Sequence, residues 1–403
     1  MIPTKAGFTT GLFSCNFSPA CYDKEKATED VTAMLPETAR TWAEIDTRAL
    51  LHNLDIARQH TDKQLMCVIK GDAHGHGAVP CGRALEQAGV DAFAVACLEE
   101  GVALRQGGIT RPILVLGWTD PALAPALAAH SLAQSVFDEA YAQALSSLGI
   151  PLDIHIKLDT GMSRTGIFAQ GDPEAAADTV MRIYGLPNLH TRGIFSHCAV
   201  ADVPGQDDFT AFQVANFQAV LDILDRRGFP RHITRHMGNS AVTLWHPEAH
   251  FDMVRLGVML YGFYPDGIHR EDGPLRPVLT LKSRIAQVKD LPAGAAVSYG
   301  CTYHTDAPTK IAVVAAGYAD SYPRSLSNRG AWALIRGQKC PQVGRICMDM
   351  CMFDVSGVDA QAGDEVTLYG AGAMTLDEIA ALTGSINCEV SCLLTHRVRK
   401  IYL

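Results

Sequence analysis

A strand-sized apolar run followed by a helix-like stretch recurs eight times from Leu65 onward, and this repeat constrains the fold more than any other feature of the 403-residue chain. The first unit runs from 65–69 through a glycine-rich loop to 79–87, closed by Gly89. The second joins 92–96 to 99–106, with Gly107 placed to end the helix, and the third joins 113–116 to 121–130. A glycine just past the last helical period is a common helix stop. Further strands are expected at 133–137, 153–158, 192–197, 233–237 and 252–256. Eight such units point to an α/β fold, a (β/α)8 TIM-type barrel, rather than a doubly wound sheet, whose GxGxxG fingerprint is missing. Barrel sites lie in the loops after the strand C-termini, which is where Lys70, Arg164, His197, Asn239 and Arg255 fall.

After about residue 270 the rhythm changes to β-branched runs at 283–288, 310–314, 332–335, 352–355 and 365–369, with one helix expected at 376–382. This predicts a mostly antiparallel β domain following the barrel. The division read from the sequence is a 1–36 extension, a 37–272 barrel and a 273–403 β domain. Periodicity does not assign the strand-like stretch 41–46 to either domain. In the extension, Thr9, Thr10, Ser14 and Asn16 interrupt any signal-peptide core, so it reads as disordered or loosely docked.

Charge and composition narrow the function. With 34 Lys+Arg against 43 Asp+Glu, the net charge of -9 disfavours nucleic acid and anionic lipid as partners. The apolar runs are far shorter than a membrane span requires. Twelve cysteines are scattered, and the closest pairs, Cys347/Cys351 and Cys388/Cys392, lack the CxxC spacing of metal ribbons. No metal is expected, and the thiols read as buried groups of a cytoplasmic protein.

Lys70 is the anomalous residue. It ends the buried-strand run Met66-Cys67-Val68-Ile69 and precedes Gly71-Asp72-Ala73-His74-Gly75-His76-Gly77, a loop too glycine-rich to be explained by packing alone. An amine withdrawn from water at a barrel mouth sheds its proton more readily and condenses with aldehydes. Alone, such a lysine also reads as a snorkelling surface residue.

Eight ordered segments carry a wider resemblance: VIKGDAHGHG (68–77), KLDTGMSRTGI (157–167), SHCAVAD (196–202), HMGNSAV (236–242), VRLGVMLYG (254–262), VSYGCTY (297–303), GYADSYPR (317–324) and VGRICMDM (343–350). Through them the chain resembles the alanine racemase family from about Thr41 to Leu403. The resemblance implies fold-type III chemistry with pyridoxal 5'-phosphate and a homodimer whose active sites are shared between subunits. It implies that Lys70 carries the cofactor and is one catalytic base, with Tyr299 of the partner subunit as the other. Two bases on opposite faces of the α-carbon suit racemisation. Arg255 is implied to face the pyridine nitrogen, and His197 to link Tyr299 with Arg255. Ser240 and the main-chain N–H groups of Gly257 and Val258, with Asn239 beside them, are implied to anchor the phosphate. Arg164, Met348, Asp349 and Tyr318 are implied to contact an amino-acid substrate, and Lys157 stands where many family members carry a carbamylated lysine.

Bland readings accompany several of these residues. Asn239 and Ser240 alone make a turn or helix N-cap, Tyr299 and His197 can be satisfied core residues, and Asp349 a surface turn residue. Three residues depart from the family pattern: Asp72 and His74 stand in place of an asparagine and a tyrosine, within KGDAHGHG where the family reads KxNAYGHG, and His396 precedes Arg397-Val398 where a tyrosine is common. Both histidines are expected to reach the cofactor phosphate, as charged imidazoles or as neutral single donors. The function implied is interconversion of L- and D-alanine, with D-alanine destined for peptidoglycan. Preference for serine or for a broader set of amino acids is one alternative. A non-catalytic pyridoxal-phosphate carrier is another, opposed by Tyr299 and the β domain; a decarboxylase is a third, opposed by Arg255.

Overall fold

The computed structural model describes residues 38–268, 270 and 273–403, so the expected 1–36 extension lies outside the described residues. From Arg40 to Leu403 the chain forms one compact unit. It opens with β1 (Thr41–Ile45) and the helix Thr47–His60, whose first turn is capped by the Asp46 carboxylate accepting from the N–H groups of Arg48 and Ala49.

The expected barrel is present. Its strands are β2 (Gln64–Val68), β3 (Ala92–Val95), β4 (Ile113–Val115), β5 (Leu132–Val136) and β6 (Leu152–Asp159), extended by a two-residue β7 (Ile167–Phe168). They are followed by β8 (Leu189–Phe195), β9 (Thr234–His236) and β10 (Met253–Leu256). Neighbours pair in parallel in the order β5-β4-β3-β2-β10-β9-β8-β6, and the β5–β6 pairing closes the ring. The expected helices follow, at Ala78–Gln87 and Leu98–Gln106. The run expected at 121–130 divides into a 3-10 turn, Pro121–Leu123, and the helix Ala124–Ala129, with Pro125 in its first turn.

Strand alternation sorts the barrel side chains. Leu65, Cys67, Phe93, Val95, Ile113 and Val115 face the helices in the main core, whereas Met66, Ala92, Ala94, Leu114 and Met253 form a separate buried cluster. Continuing the inner faces by two residues at a time leads from Met66 and Val68 to Lys70, from His155 to Lys157, and from Met253 to Arg255. The residues that plug the barrel thus give way to polar groups at its mouth.

The second sheet is built on β11 (Leu279–Leu291), a strand of thirteen residues. It pairs antiparallel with β1, Thr309–Val314 and Glu365–Tyr369; Cys351–Asp354, Trp332–Ile335 and Gln338–Pro341 extend the array. The last strand, Arg399–Tyr402, lies parallel to β1. The segment 41–45 was grouped with the barrel in the 37–272 division, but it is hydrogen-bonded into the other sheet. A single strand's alternation records which faces are buried and not which edges it joins.

Candidate active site

At the C-terminal ends of the barrel strands lies a cavity of about 980 Å³. Ten residues singled out from the sequence line it: Lys70, His74, Lys157, Arg164, His197, Asn239, Ser240, Arg255, Gly257 and Val258.

Lys70 opens a short left-handed turn. Gly71, Asp72, Ala73 and His74 have φ between 51° and 62°, and Gly75 follows at 87°. For side chains other than glycine this conformation costs roughly 1–2 kcal/mol per residue, so the surroundings must hold it. They do so through the C-terminal segment. A Cβ on Gly75 would overlap the Ser391 carbonyl, and one on Gly77 would overlap the Tyr402 hydroxyl. The glycine content that seemed excessive for packing is therefore a packing requirement, imposed by a segment more than three hundred residues away in sequence.

Arg255 is buried at the centre of a hydrogen-bond network. Its guanidinium donates to His236 Nδ1 (3.0 Å), His197 Nδ1 (2.9 Å) and the carbonyls of Ser196 (2.7 Å) and Met237 (3.0 Å). No carboxylate pairs with it among the described residues. Burial lowers its pKa to about 10, which leaves it cationic at neutral pH. Because a guanidinium only donates, His236 carries its proton on Nε2 and donates to His155 Nδ1 at 2.9 Å. His197 likewise carries its proton on Nε2. Burial first, then the Arg255 charge, holds His155 down to about 3 and drives His197 and His236 well below the usual imidazole range. A Cβ on Gly193 would overlap the His155 ring, which fixes glycine at that position.

Lys157 is buried and donates to Thr165 Oγ1 at 2.6 Å. Desolvation, helped by Arg164 and Arg255, lowers its pKa to about 8. Asn239 caps the helix Ser240–Trp245 through its side-chain oxygen, which accepts from Val242 N–H at 3.0 Å, so its bland reading is realised while it also faces the cavity. Ser240 Oγ accepts from Gly257 N–H at 3.0 Å. The Gly257 N–H implied as a phosphate donor is thus already engaged. Ser240 and the start of the 3-10 turn Val258–Tyr261 still bring two helical N-termini together, an arrangement that favours anions.

The departures resolve differently. His74 lies in the wall with its ring 4.7 Å from Tyr261, and its buried Nδ1 has no hydrogen-bond partner among the described residues. Burial, with His76 and Lys70 nearby, lowers its pKa to about 3, so it is a neutral imidazole and not the charged one weighed from the sequence. His396 is exposed and outside the cavity wall. Asn387 and Cys388, at the start of the short helix Asn387–Cys392, line that wall instead. The helix turns the chain so that 396 falls beyond the cavity.

Tyr299, Tyr318, Met348 and Asp349 are also absent from the wall. They gather on the second sheet's surface: Tyr318 N–H donates to the Cys347 carbonyl at 3.0 Å, and Ala319 N–H to that of Met348 at 3.0 Å. Ser298, preceding Tyr299, donates through Oγ to the Arg345 carbonyl at 2.6 Å, while Arg397 pairs with Asp349. Tyr299 is 69% exposed and Met348 51%. One chain therefore presents two separated halves of the expected site. Sequence reading missed His155 and His236. Their signals were present: His155 lies two residues before Lys157 on one strand face, and His236 opens the HMGNSAV segment.

Comparison with known proteins identifies both domains. Residues 45–265 match the family described as alanine racemase, N-terminal domain, and residues 278–402 its C-terminal domain. The alanine racemase of Desulfovibrio desulfuricans is 43% identical over 90% of this chain and 98% of its own length; that of Desulfosudis oleivorans is 41% identical over 90% and 96%. Among solved structures, alanine racemase from Clostridium difficile 630 superposes with a TM-score of 0.85 at 37% identity, covering 91% of this chain and 96% of that one. The Bacillus anthracis enzyme with bound L-Ala-P gives 0.82 at 32% identity, covering 92% and 96%. With both domains matched in order and relatives covered nearly end to end, this chain belongs to the alanine racemase family of isomerases.

Proposed function

We propose that the chain interconverts L- and D-alanine with pyridoxal 5'-phosphate bound at Lys70, as a cytoplasmic homodimer in which Tyr299 of one copy completes the cavity of the other. The product D-alanine would serve peptidoglycan synthesis. The observation that carries this reading is the split between a barrel-mouth cavity holding Lys70 and an exposed patch holding Tyr299. A lone chain has one base in place and the second facing outward.

The residues fit the cofactor. The unpartnered His74 Nδ1, Ser240 and the two converging helical N-termini suit a phosphate, Arg255 suits a ring nitrogen, and Lys70 suits an aldehyde. When bound, pyridoxal 5'-phosphate supplies a conjugated ring that spreads the negative charge left on a substrate α-carbon after its proton departs. Arg255 remains protonated, because four acceptors and its own basicity hold the proton on the guanidinium, so it would face the ring nitrogen as a donor that gives no proton up, which would limit how far charge is drawn away from the α-carbon. Lys70 Nζ removes or returns the proton on one face and Tyr299 Oη of the partner subunit on the other, while Arg164 orients the substrate carboxylate toward the backbone at Met348 of the partner subunit. His197, fixed by Arg255, offers its Nε2–H to the arriving tyrosine.

A mixed-dimer experiment tests the shared site. Lys70→Ala and Tyr299→Phe homodimers should each be nearly inactive, and co-refolded mixtures should regain activity, since one of the two sites in a heterodimer then holds both native bases. Tyr299→Phe alone should keep its cofactor and lose α-proton exchange more severely from one enantiomer than the other. Mixtures no more active than their components would sink the shared-site reading.

Lys157 fits the carbamylated lysine of the family because only a neutral amine adds carbon dioxide. With a pKa of about 8, about a tenth of it is neutral at pH 7 and about half at pH 8. At fixed dissolved carbon dioxide, carbon-13 NMR should show a carbamate carbonyl that strengthens from pH 7 to 9 and is missing in Lys157→Ala. A pH-independent signal, or the same signal in the variant, would assign it elsewhere.

The wall formed by Ala380, Ala381, Ser385 and Cys388 consists of small side chains. This supports a second reading in which serine and larger amino acids are also accepted. Rates of D-isomer formation across a panel of L-amino acids separate it from strict alanine preference.

A further inference from the structure

The loop after Lys70 departs from the family pattern at Asp72 as well as His74, and the role of that carboxylate is visible in its partners. One oxygen, Oδ1, accepts from Ala78 N–H at 2.7 Å and so caps the helix Ala78–Gln87. The other, Oδ2, pairs with Lys400 Nζ. Lys400 lies in the last strand, Arg399–Tyr402, which is held in the second sheet beside β1. Its side chain is 20% exposed and that of Asp72 55%. Asp72 therefore ties three things at one point: the left-handed turn, the helix that follows it, and a strand of the other domain.

We propose that the Asp72–Lys400 pair is a positioning clamp for Lys70, keeping the turn 71–74 left-handed so that Lys70 and His74 face the cavity. The turn's own hydrogen bonds are local: Ala73 N–H to Ile69, Gly75 N–H to Gly71 and Gly77 N–H to Asp72. Glu100 adds one tie within the barrel by accepting from Gly71 N–H at 2.6 Å. Packing of Ser391 and Tyr402 over Gly75 and Gly77 sets how close the C-terminal segment can come, but it is non-directional. The ion pair supplies the directional link between that segment and the residue two positions after Lys70. Asparagine at 72 would retain the cap and lose the charge, so the clamp is particular to the aspartate form of the loop.

The inference rests on reading Lys70 as the cofactor lysine, and the test keeps the two apart. Asp72→Asn, Lys400→Met, the double variant and Lys400→Arg are compared with the wild-type chain. In cofactor-free protein, amide hydrogen exchange across 71–77 should accelerate about fivefold in each neutralising single variant, the scale of a partly exposed ion pair. The double variant should lose no more than either single, and Lys400→Arg should restore most of the protection. With pyridoxal 5'-phosphate added, affinity should fall by about the same factor while KM for L-alanine stays unchanged, a split that general loosening of the fold would not give. Wild-type exchange in both singles, or additive losses in the double variant, overturns the clamp. Borohydride reduction and peptide mapping of the wild type test the other reading: label on a lysine other than Lys70 overturns that assignment and leaves the exchange data to decide the clamp.

Discussion

Lys70→Ala abolishes racemisation and the visible absorbance of bound pyridoxal 5'-phosphate together. The loss should be at least about 10⁴-fold, because one substitution removes both the attachment point and one of two bases. Only one other lysine, Lys157, reaches the cavity wall among the described residues. Its Nζ is engaged by Thr165 on the far side of the ring, at the end of β6, so it cannot take over. Thermal stability should change little, since Lys70 makes no ion pair among the described residues and its strand ends before it. Borohydride-trappable cofactor in the alanine variant, or activity within a hundredfold of wild type, would remove Lys70 from the role given to it.

Mild acid should destabilise the cofactor-free protein steeply. Five imidazoles are kept neutral by the fold: His74 and His155 are lowered to about 3 and His76 to about 4, and His197 and His236 fall well below the ordinary value. Burial is the first cause in every case. In the unfolded chain each would titrate near 6.5, so below that pH the unfolded state takes up protons that the folded state refuses. The contribution of these groups is therefore complete above pH 6.5 and is lost as the pH falls toward their folded values. Each lost proton-binding step is worth about 1.4 kcal/mol per pH unit, so several together approach the ~5–15 kcal/mol that holds a typical domain folded. Carboxylates held low by arginines, such as Asp225 and Asp364, act only below about pH 4 and cannot mask the effect. Denaturant midpoints measured from pH 7 to 5 should drop throughout. A flat profile over that range would show that the imidazoles gain protons in the native state.

The strand-and-helix rhythm of the barrel was legible because strands buried on both faces carry dense apolar runs, and the expected 332–335 and 365–369 coincide with observed strands. What alternation could not report was connectivity. The edges joined by β1 are set by partners at 279–283 and 399–402, which no local pattern names. The site showed the same division. Lys70, Arg164, His197 and Arg255 were readable because charged and polar groups interrupt apolar runs at the barrel mouth. His155 and His236 sit within their strands and look like ordinary core positions until Arg255 is seen to need acceptors. His396 was misplaced because spacing from Arg397 says nothing about the short helix that turns Asn387 and Cys388 inward.

The position of β1 also bears on the order in which the molecule can assemble. Its two neighbours are β11 and the final strand, and Thr47, just beyond it, donates through its hydroxyl to the Leu403 carbonyl across a separation of 356 residues. During synthesis the barrel strands have every partner they need once residue 256 has emerged, but β1 must wait, with an open edge, for 279–283 and then for 399–402. Contacts of such range close slowly. The Lys70 turn, packed against Ser391 and Tyr402, waits with it, because those contacts exist only after residue 402 has emerged. A nascent chain stalled before Arg399 would hold its barrel strands without the Tyr402 packing over Gly77 and without the strand that borders β1.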